Sequence, residues 1–184
     1  MGPETRYRAQ RARAVVKQLR NIWRSRTLSR TLKRRFFNTL VIPVMVYNAE
    51  TWELGAHEMK FMEKEYMNLA REAMREQRRY DAIAKVAESN AAFLRKHKFE
   101  DIGRIIARRK GVWIGHIWRS KDVSFRERMQ RLRRRSGRTW WTHCGEEFGK
   151  YGTSIEEVLE KVNNPLEKIR KLFDASDARS VSDQ

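Results

Sequence analysis

Between Tyr7 and Trp23 the apolar residues Ala12, Val15, Val16, Leu19, Ile22 and Trp23 return every three or four positions, with arginines on the other flank. An α-helix turns once in about 3.6 residues, so this spacing predicts an amphipathic helix with a cationic outer face. The stretch SRTLS interrupts it, and Ser29 is placed to cap a second helix carrying Leu32, Phe36, Phe37, Leu40 and Val41. Pro43 has no amide proton to donate and is expected to kink or end that helix. VMVYNAETW, just beyond, fits either a continued helix or a short extended piece, and helix is the reading adopted.

From 56 to 77 the stripe Met59, Phe61, Met62, Tyr66, Leu69, Ala73 and Met74 predicts a core helix. Residues 81–96 read as one or two short helices. Ile102, Ile105, Ile106, Val112, Trp113, Ile117 and Trp118 then stand at helical spacing, and Gly111 and Gly115 within them point to close approach of another segment. A basic helix is expected over 123–135, broken by SGR at 136–138. Ser154 and Glu157 have the spacing of a capping box, and Asn164 followed by Pro165 suits a last helix start. No stretch alternates with period two and no repeat is visible, so the expected class is all-α: an irregular multi-helix bundle, with two helical subdomains as one option. The chain divides by pattern into basic N-terminal helices over 1–54, central helices with a basic patch over 55–138, and C-terminal helices with a polar tail over 139–184.

Charge changes this picture from a plain bundle to a binding protein. The chain has 184 residues and a net charge of +18, from 41 Lys and Arg against 23 Asp and Glu. The excess is not spread evenly. Residues 5–49 hold twelve cations and no acid: Arg6, Arg8, Arg11, Arg13, Lys17, Arg20, Arg24, Arg26, Arg30, Lys33, Arg34 and Arg35. Residues 104–138 hold thirteen cations against Asp122 and Glu127: Arg104, Arg108, Arg109, Lys110, Arg119, Lys121, Arg126, Arg128, Arg131, Arg133, Arg134, Arg135 and Arg138. The rest of the chain is mildly acidic. Two cationic blocks on a near-neutral body favour an anionic partner, and the planar guanidinium grips phosphate at two points. Structured RNA is the expected partner, with the other proteins of a ribonucleoprotein assembly. Among these residues all but Arg11, Lys121 and Arg128 are taken as nucleic-acid contacts. An arginine-rich, acid-free start also has the composition of a mitochondrial targeting segment, and mitochondria are the one compartment it suggests; an RNA-facing basic helix is the plainer reading.

Candidates for chemistry are few. Cys144 stands alone, and His57, His97, His116 and His143 are scattered, which offers at most a makeshift metal site. His116 is read as packed on a helix–helix contact with one ring nitrogen bonded to backbone. There is no Gly-rich phosphate loop and no nucleophile elbow. Glu146–Glu147 and Glu156–Glu157 are assigned to the first turns of helices, where the macrodipole favours a carboxylate. The apolar run at 40–47 is too short to span a bilayer. No membrane, cofactor, metal or small-molecule substrate is therefore expected. Trp113 and Trp118 are assigned to the core, leaving Trp140 or Trp141 as the candidate to stack on unpaired bases.

Three ordered stretches, LRNIWRSRTLSRTLKRRFFNTLVIPVMVYNAETWEL, RRKGVWIGHIWRSKD and SGRTWWTHCGEEFGKYG, resemble the carboxy-terminal part of reverse transcriptases from non-long-terminal-repeat retrotransposons. That family has a helical thumb with a Leu-Pro-Leu-Leu-Tyr-Gly-type segment ending in Glu-x-Trp, then an Arg-rich motif running into Trp-x-Gly-His, then Gly-Arg-Pro…Trp. The matching positions are Ile42, Pro43, Tyr47, Glu50 and Trp52; Arg108, Arg109, Trp113, Gly115 and His116; and Gly137, Arg138 and Trp140 or Trp141. Asn48 stands where glycine is usual, and Thr139 where proline is. The resemblance spans about residues 15–152. In the family the catalytic palm, with its paired aspartates, lies upstream; here there is only Tyr80–Asp81. The resemblance implies a detached thumb and tail that holds nucleic acid without polymerising it. The resulting expectation is a non-catalytic RNA-binding protein serving a large ribonucleoprotein such as a mitochondrial ribosome. The alternatives are a thumb fragment working with a palm on another chain, and an adaptor for acidic proteins.

Overall fold

In the computed structural model the residues described are 3–76, 80–81, 86–120, 123–131, 139–161 and 171–173. They form ten α-helices, and the class is all-α. The chain separates into two compact units, one of residues 1–47 and 54–103, the other of 48–53 and 104–184. Among the described residues no helix is long and apolar enough to cross a membrane.

The first unit begins with α1 (Pro3–Gln18) and α2 (Arg20–Arg24). The single helix expected over 7–23 is thus two, parted at Leu19, which leaves helical geometry at φ −85°, ψ 12°. The break lets the Trp23 indole donate back to Val16 O at 2.9 Å. Ala12, Val16 and Trp23 are buried, the apolar face the spacing predicts. Ser29 caps α3 (Arg30–Phe36), its hydroxyl accepting from Leu32 N at 3.2 Å. Phe37 and Val41 enter the core, whereas Leu32 and Leu40, expected beside them, are exposed.

Pro43 neither ends the helix nor simply bends it. The turn before it widens into a π-helix at Phe37–Val41, with the Ile42 amide reaching back to Phe37 O, and α4 (Ile42–Met45) follows with the proline in its first turn. A π turn relocates the carbonyl that the proline ring would otherwise strike. The helix adopted for VMVYNAETW stops at Met45, and a 3-10 turn at Ala49–Thr51 follows. Asn48 sits between them in the left-handed region at φ 60°, ψ 20°, which Asn tolerates better than most residues.

Helix α5 (Ala56–Met74) is the spine of this unit. It buries Met62, Tyr66, Leu69, Ala70, Ala73 and Met74, and it packs against α1, α2 and α3. Small residues at Ala9 and Ala12 on α1 and at Ala70 and Ala73 on α5 leave room for close helix contact. Of the one or two short helices expected over 81–96, the described residues show one, α6 (Asn90–His97), while Tyr80–Asp81 and Val86–Ala87 pair ahead of it as antiparallel strands β1 and β2. Ser89 caps α6, a polar hydroxyl that favours starting the helix there rather than earlier. Phe37, Tyr66, Phe93 and Phe99 close the core with ring centroids 5.3–6.5 Å apart.

The second unit is built on α7 (Ile102–Arg119), whose first two residues belong to the first unit, with α8 (Val123–Arg131), α9 (Trp140–Gly149) and α10 (Ile155–Glu160). Ala107, Ile114, Trp140, Cys144, Phe148, Ile155, Val158 and Phe173 form its core. Gly111 and Gly115 are both buried on α7. The basic helix expected over 123–135 is seen to Arg131, and the breaker at 136–138 and the cap at Asn164–Pro165 lie outside the described residues. The capping box at Ser154 is present, with Ser154 Oγ accepting from Glu157 N at 3.2 Å. Glu156–Glu157 open α10 as expected. Glu146–Glu147 do not open a helix: Thr139 caps α9 seven residues before Glu146, so this pair falls in the last turn, where the macrodipole disfavours a carboxylate.

Candidate nucleic-acid interface

The cations of residues 5–49 divide by what their side chains already hold. Arg13 is paired with Glu65 on α5. Arg30 reaches Glu76 at 3.3 Å, and Arg34 donates to Lys98 O at 3.1 Å. Lys33 caps a helix, donating at 2.8 Å to both Trp23 O and Ser25 O at the end of α2. Those carbonyls have no partner inside the helix, so an ammonium there replaces the missing turn. Burial, then the nearby cations Arg75 and Arg30, push the Lys33 pKa down. Arg6, Arg26 and Arg35 are exposed, and Arg8 is partly buried.

Lys17, Arg20 and Arg24 come together. With Trp23, Glu72 and Arg75 they line a cleft of about 400 Å³. Lys17 at the end of α1 and Arg20, Trp23 and Arg24 on α2 supply one wall, and Glu72 in the last turn of α5 with Arg75 just past it supplies the other. Arg75 takes its place because α5 ends there in a left-handed residue at φ 54°, with Glu76 N folded back onto Arg71 O at 2.9 Å. The cleft therefore presents four cations and one carboxylate around a buried indole. Arg75 escaped sequence reasoning because it lies in a stretch of mixed charge, distant along the chain from the basic block.

Beyond the cleft, Glu76 fastens this end of the unit. Its carboxylate lies 2.8 Å from Lys96 Nζ and 3.0 Å from His97 Nε2. Burial opposes its ionisation, yet those two partners hold its pKa down at about 2. The wall carrying Arg75 is thus tied by neighbouring charges to α3 and α6.

In the second unit the picture is more mixed. Lys110, expected to face phosphate, is wholly buried and pairs with Glu147 at 2.5 Å. Its place on α7, between Ala107 and Ile114, is on the apolar face, and the α9 carboxylate meets it there. Burial opposes the Glu147 charge, but His143 and Lys110 together keep its pKa below the usual carboxylate value. His143 Nε2 stands 3.3 Å from Glu147 Oε1, though poorly aligned for a hydrogen bond. Arg109 holds Glu50 at 3.3 Å, and Arg104 lies over the Tyr151 ring at 5.6 Å. Arg108 is partly buried, while Arg119 and Arg131 are exposed. The backbone of Arg126 is described but its side chain is not, and Arg133, Arg134, Arg135 and Arg138 lie outside the described residues.

The stacking candidates also separate. Trp140 is buried, meets Trp113 edge-on at 5.2 Å, and donates to Glu50 O at 3.1 Å, so it is a core residue and not a platform for bases. Trp141 is partly buried beside Trp118 at 6.1 Å, and both Trp113 and Trp118 are less enclosed than expected. His116 is not packed between helices; it is exposed, with Nδ1 3.4 Å from Arg119 Nη2. Among the described residues no group of three or more His, Cys, Asp or Glu side chains is placed to hold a metal ion.

A family model described as a domain of unknown function (DUF6451) matches residues 16–47. The matched stretch contains Lys17, Arg20, Trp23 and Arg24 of the cleft but neither Glu72 nor Arg75. No curated protein and no solved structure matches the chain.

Proposed function

We propose that this chain grips RNA and performs no reaction on it, as the thumb-like and post-thumb part of a reverse transcriptase lineage put to use in a large ribonucleoprotein, such as a mitochondrial ribosome. The observation that carries this reading is the cleft of Lys17, Arg20, Arg24 and Arg75, four cations from α1, α2 and the end of α5 converging around one carboxylate. A cationic cleft with low-dielectric walls concentrates field on a polyanion and suits a phosphate backbone. The ordered motifs of the sequence favour a second reading, in which the same surface holds template and primer for a palm on another polypeptide.

The test is titration of the chain with a structured RNA hairpin at two salt concentrations, repeated with Lys17→Glu, Arg20→Glu and Arg24→Glu combined. Affinity should fall with salt at a log–log slope of about −0.7 to −0.9 per phosphate neutralised, and the triple variant should flatten that slope by about one unit per lost contact. Equal affinity and slope for both proteins would overturn the proposal. Co-purification with a protein bearing paired metal-binding aspartates, together with preference for a template–primer duplex, would move the assignment to the second reading.

A further inference from the structure

Two large aromatic side chains of the first unit stand in water beside a cation. Tyr7 is 49 % exposed and Tyr47 58 % exposed. Helix α1 packs on α4, which brings the start of the first helix against the turn that follows the second. Arg8 fills the space between the rings, with its guanidinium carbon 4.3 Å from the centroid of Tyr47 and 5.3 Å from that of Tyr7. Glu4 holds the same side chain at 2.6 Å, one turn back along α1. The Arg8 side chain is accordingly only 21 % exposed.

These facts describe a prearranged surface rather than loose side chains. The guanidinium is fixed by a carboxylate and two rings, so little freedom is left to lose when a planar ligand arrives. Glu4 also offsets the Arg8 charge, so attraction at this spot comes from flat polarisable faces rather than from net charge. Along α1, Tyr7 lies ten residues, about 15 Å, before Lys17 of the cationic cleft. Between them the outward face of the helix, Arg11, Ala14 and Gln18, is exposed. We infer that Tyr7, Arg8 and Tyr47 form a platform on which unpaired bases of single-stranded RNA stack, next to a cleft that holds the backbone. This rests on the RNA-binding reading above and adds to it a preference for single strands. Every base has a flat face, so the platform tolerates sequence and favours purines through their larger stacking area.

The experiment compares labelled single-stranded 12-nucleotide oligoadenosine and oligouridine with a 12-base-pair RNA duplex, at two salt concentrations. It uses the full chain, Tyr47→Leu, Tyr7→Leu and Tyr47→Phe. Losing one stacking ring should weaken single-strand binding by roughly five- to 150-fold. Duplex affinity and the salt slope should not move, and Tyr47→Phe should keep the single-strand affinity. Photocrosslinking of wild-type chain to bromouridine-substituted RNA, read by peptide mass, gives a measurement independent of any variant and should label Tyr7 or Tyr47. Equal losses on single strand and duplex, unchanged binding in both leucine variants, or crosslinks at neither tyrosine would overturn the inference while leaving RNA binding in place; an apolar protein partner would then be the occupant to seek. Absence of RNA binding by the wild-type chain would overturn this inference and the RNA-binding reading together.

Discussion

Lys110→Met distinguishes what the charge pattern suggests from what the fold does with that charge. Lys110 is completely buried, and its ammonium lies 2.5 Å from a Glu147 carboxylate that is itself nearly enclosed. Removing one partner of such a pair leaves the other charge buried, at a cost of about 3–5 kcal/mol. For a chain of this size each kcal/mol moves the melting temperature by about 2–4 °C, so the transition should fall by roughly 6–20 °C. Lys110→Met combined with Glu147→Leu should recover most of that loss, because no charge is then stranded. The pH dependence has a definite sign. The Glu147 pKa is depressed in the folded chain, so its carboxylate contributes stability above its ordinary value of 4.5, and that contribution is lost as pH falls through the lower folded value. The single variant should therefore differ most from wild type near neutrality, and the gap should narrow in acid as the stranded carboxylate takes up a proton. Calorimetry of the three proteins from pH 7 to pH 3, alongside RNA titration, supplies the assay. A single variant that melts with wild type but binds RNA less tightly would refute the reasoning and return Lys110 to the surface.

Two further outcomes follow from local geometry. The Cys144 thiol is pushed up to about 12, first by burial, so in the native chain at pH 8 it should resist a thiol reagent that modifies it at once in denaturant, as followed by mass shift. Asn48→Gly should leave stability within about 0.5 kcal/mol, whereas Asn48→Val, which forces a branched side chain into a left-handed conformation, should cost about 1–2 kcal/mol in denaturant unfolding.

Much of the helical framework is readable along the chain because the forces that set it are local. The buried faces of α5 and α7 repeat at helical spacing, and Ser29 and Ser154 cap the helices that their positions announce. Where reading failed, a local rule met a competing one. Leu19 has good helical character, yet the Trp23 indole finds its acceptor in Val16 O only across a break at that residue. Pro43 was met by a π turn rather than by an end. Glu146–Glu147 resemble a helix start, but Thr139 begins the helix earlier and leaves them in its last turn.

The sequence by itself determined the all-α class, the acid-free cationic block and the amphipathic faces, since each follows from composition and from the period of residues a few positions apart. Tertiary structure alone decided which cations are available. Lys110 and Glu147 are 37 positions apart, and Trp140 and the Glu50 carbonyl 90 apart, so neither pairing leaves a trace in any short window. The same holds for Arg75 joining Lys17, Arg20 and Arg24, and for Arg8 settling between Tyr7 and Tyr47. A charge count registers how many guanidinium and ammonium groups exist. Only packing determines which of them are taken up by carboxylates, carbonyls and rings, and which still face solvent.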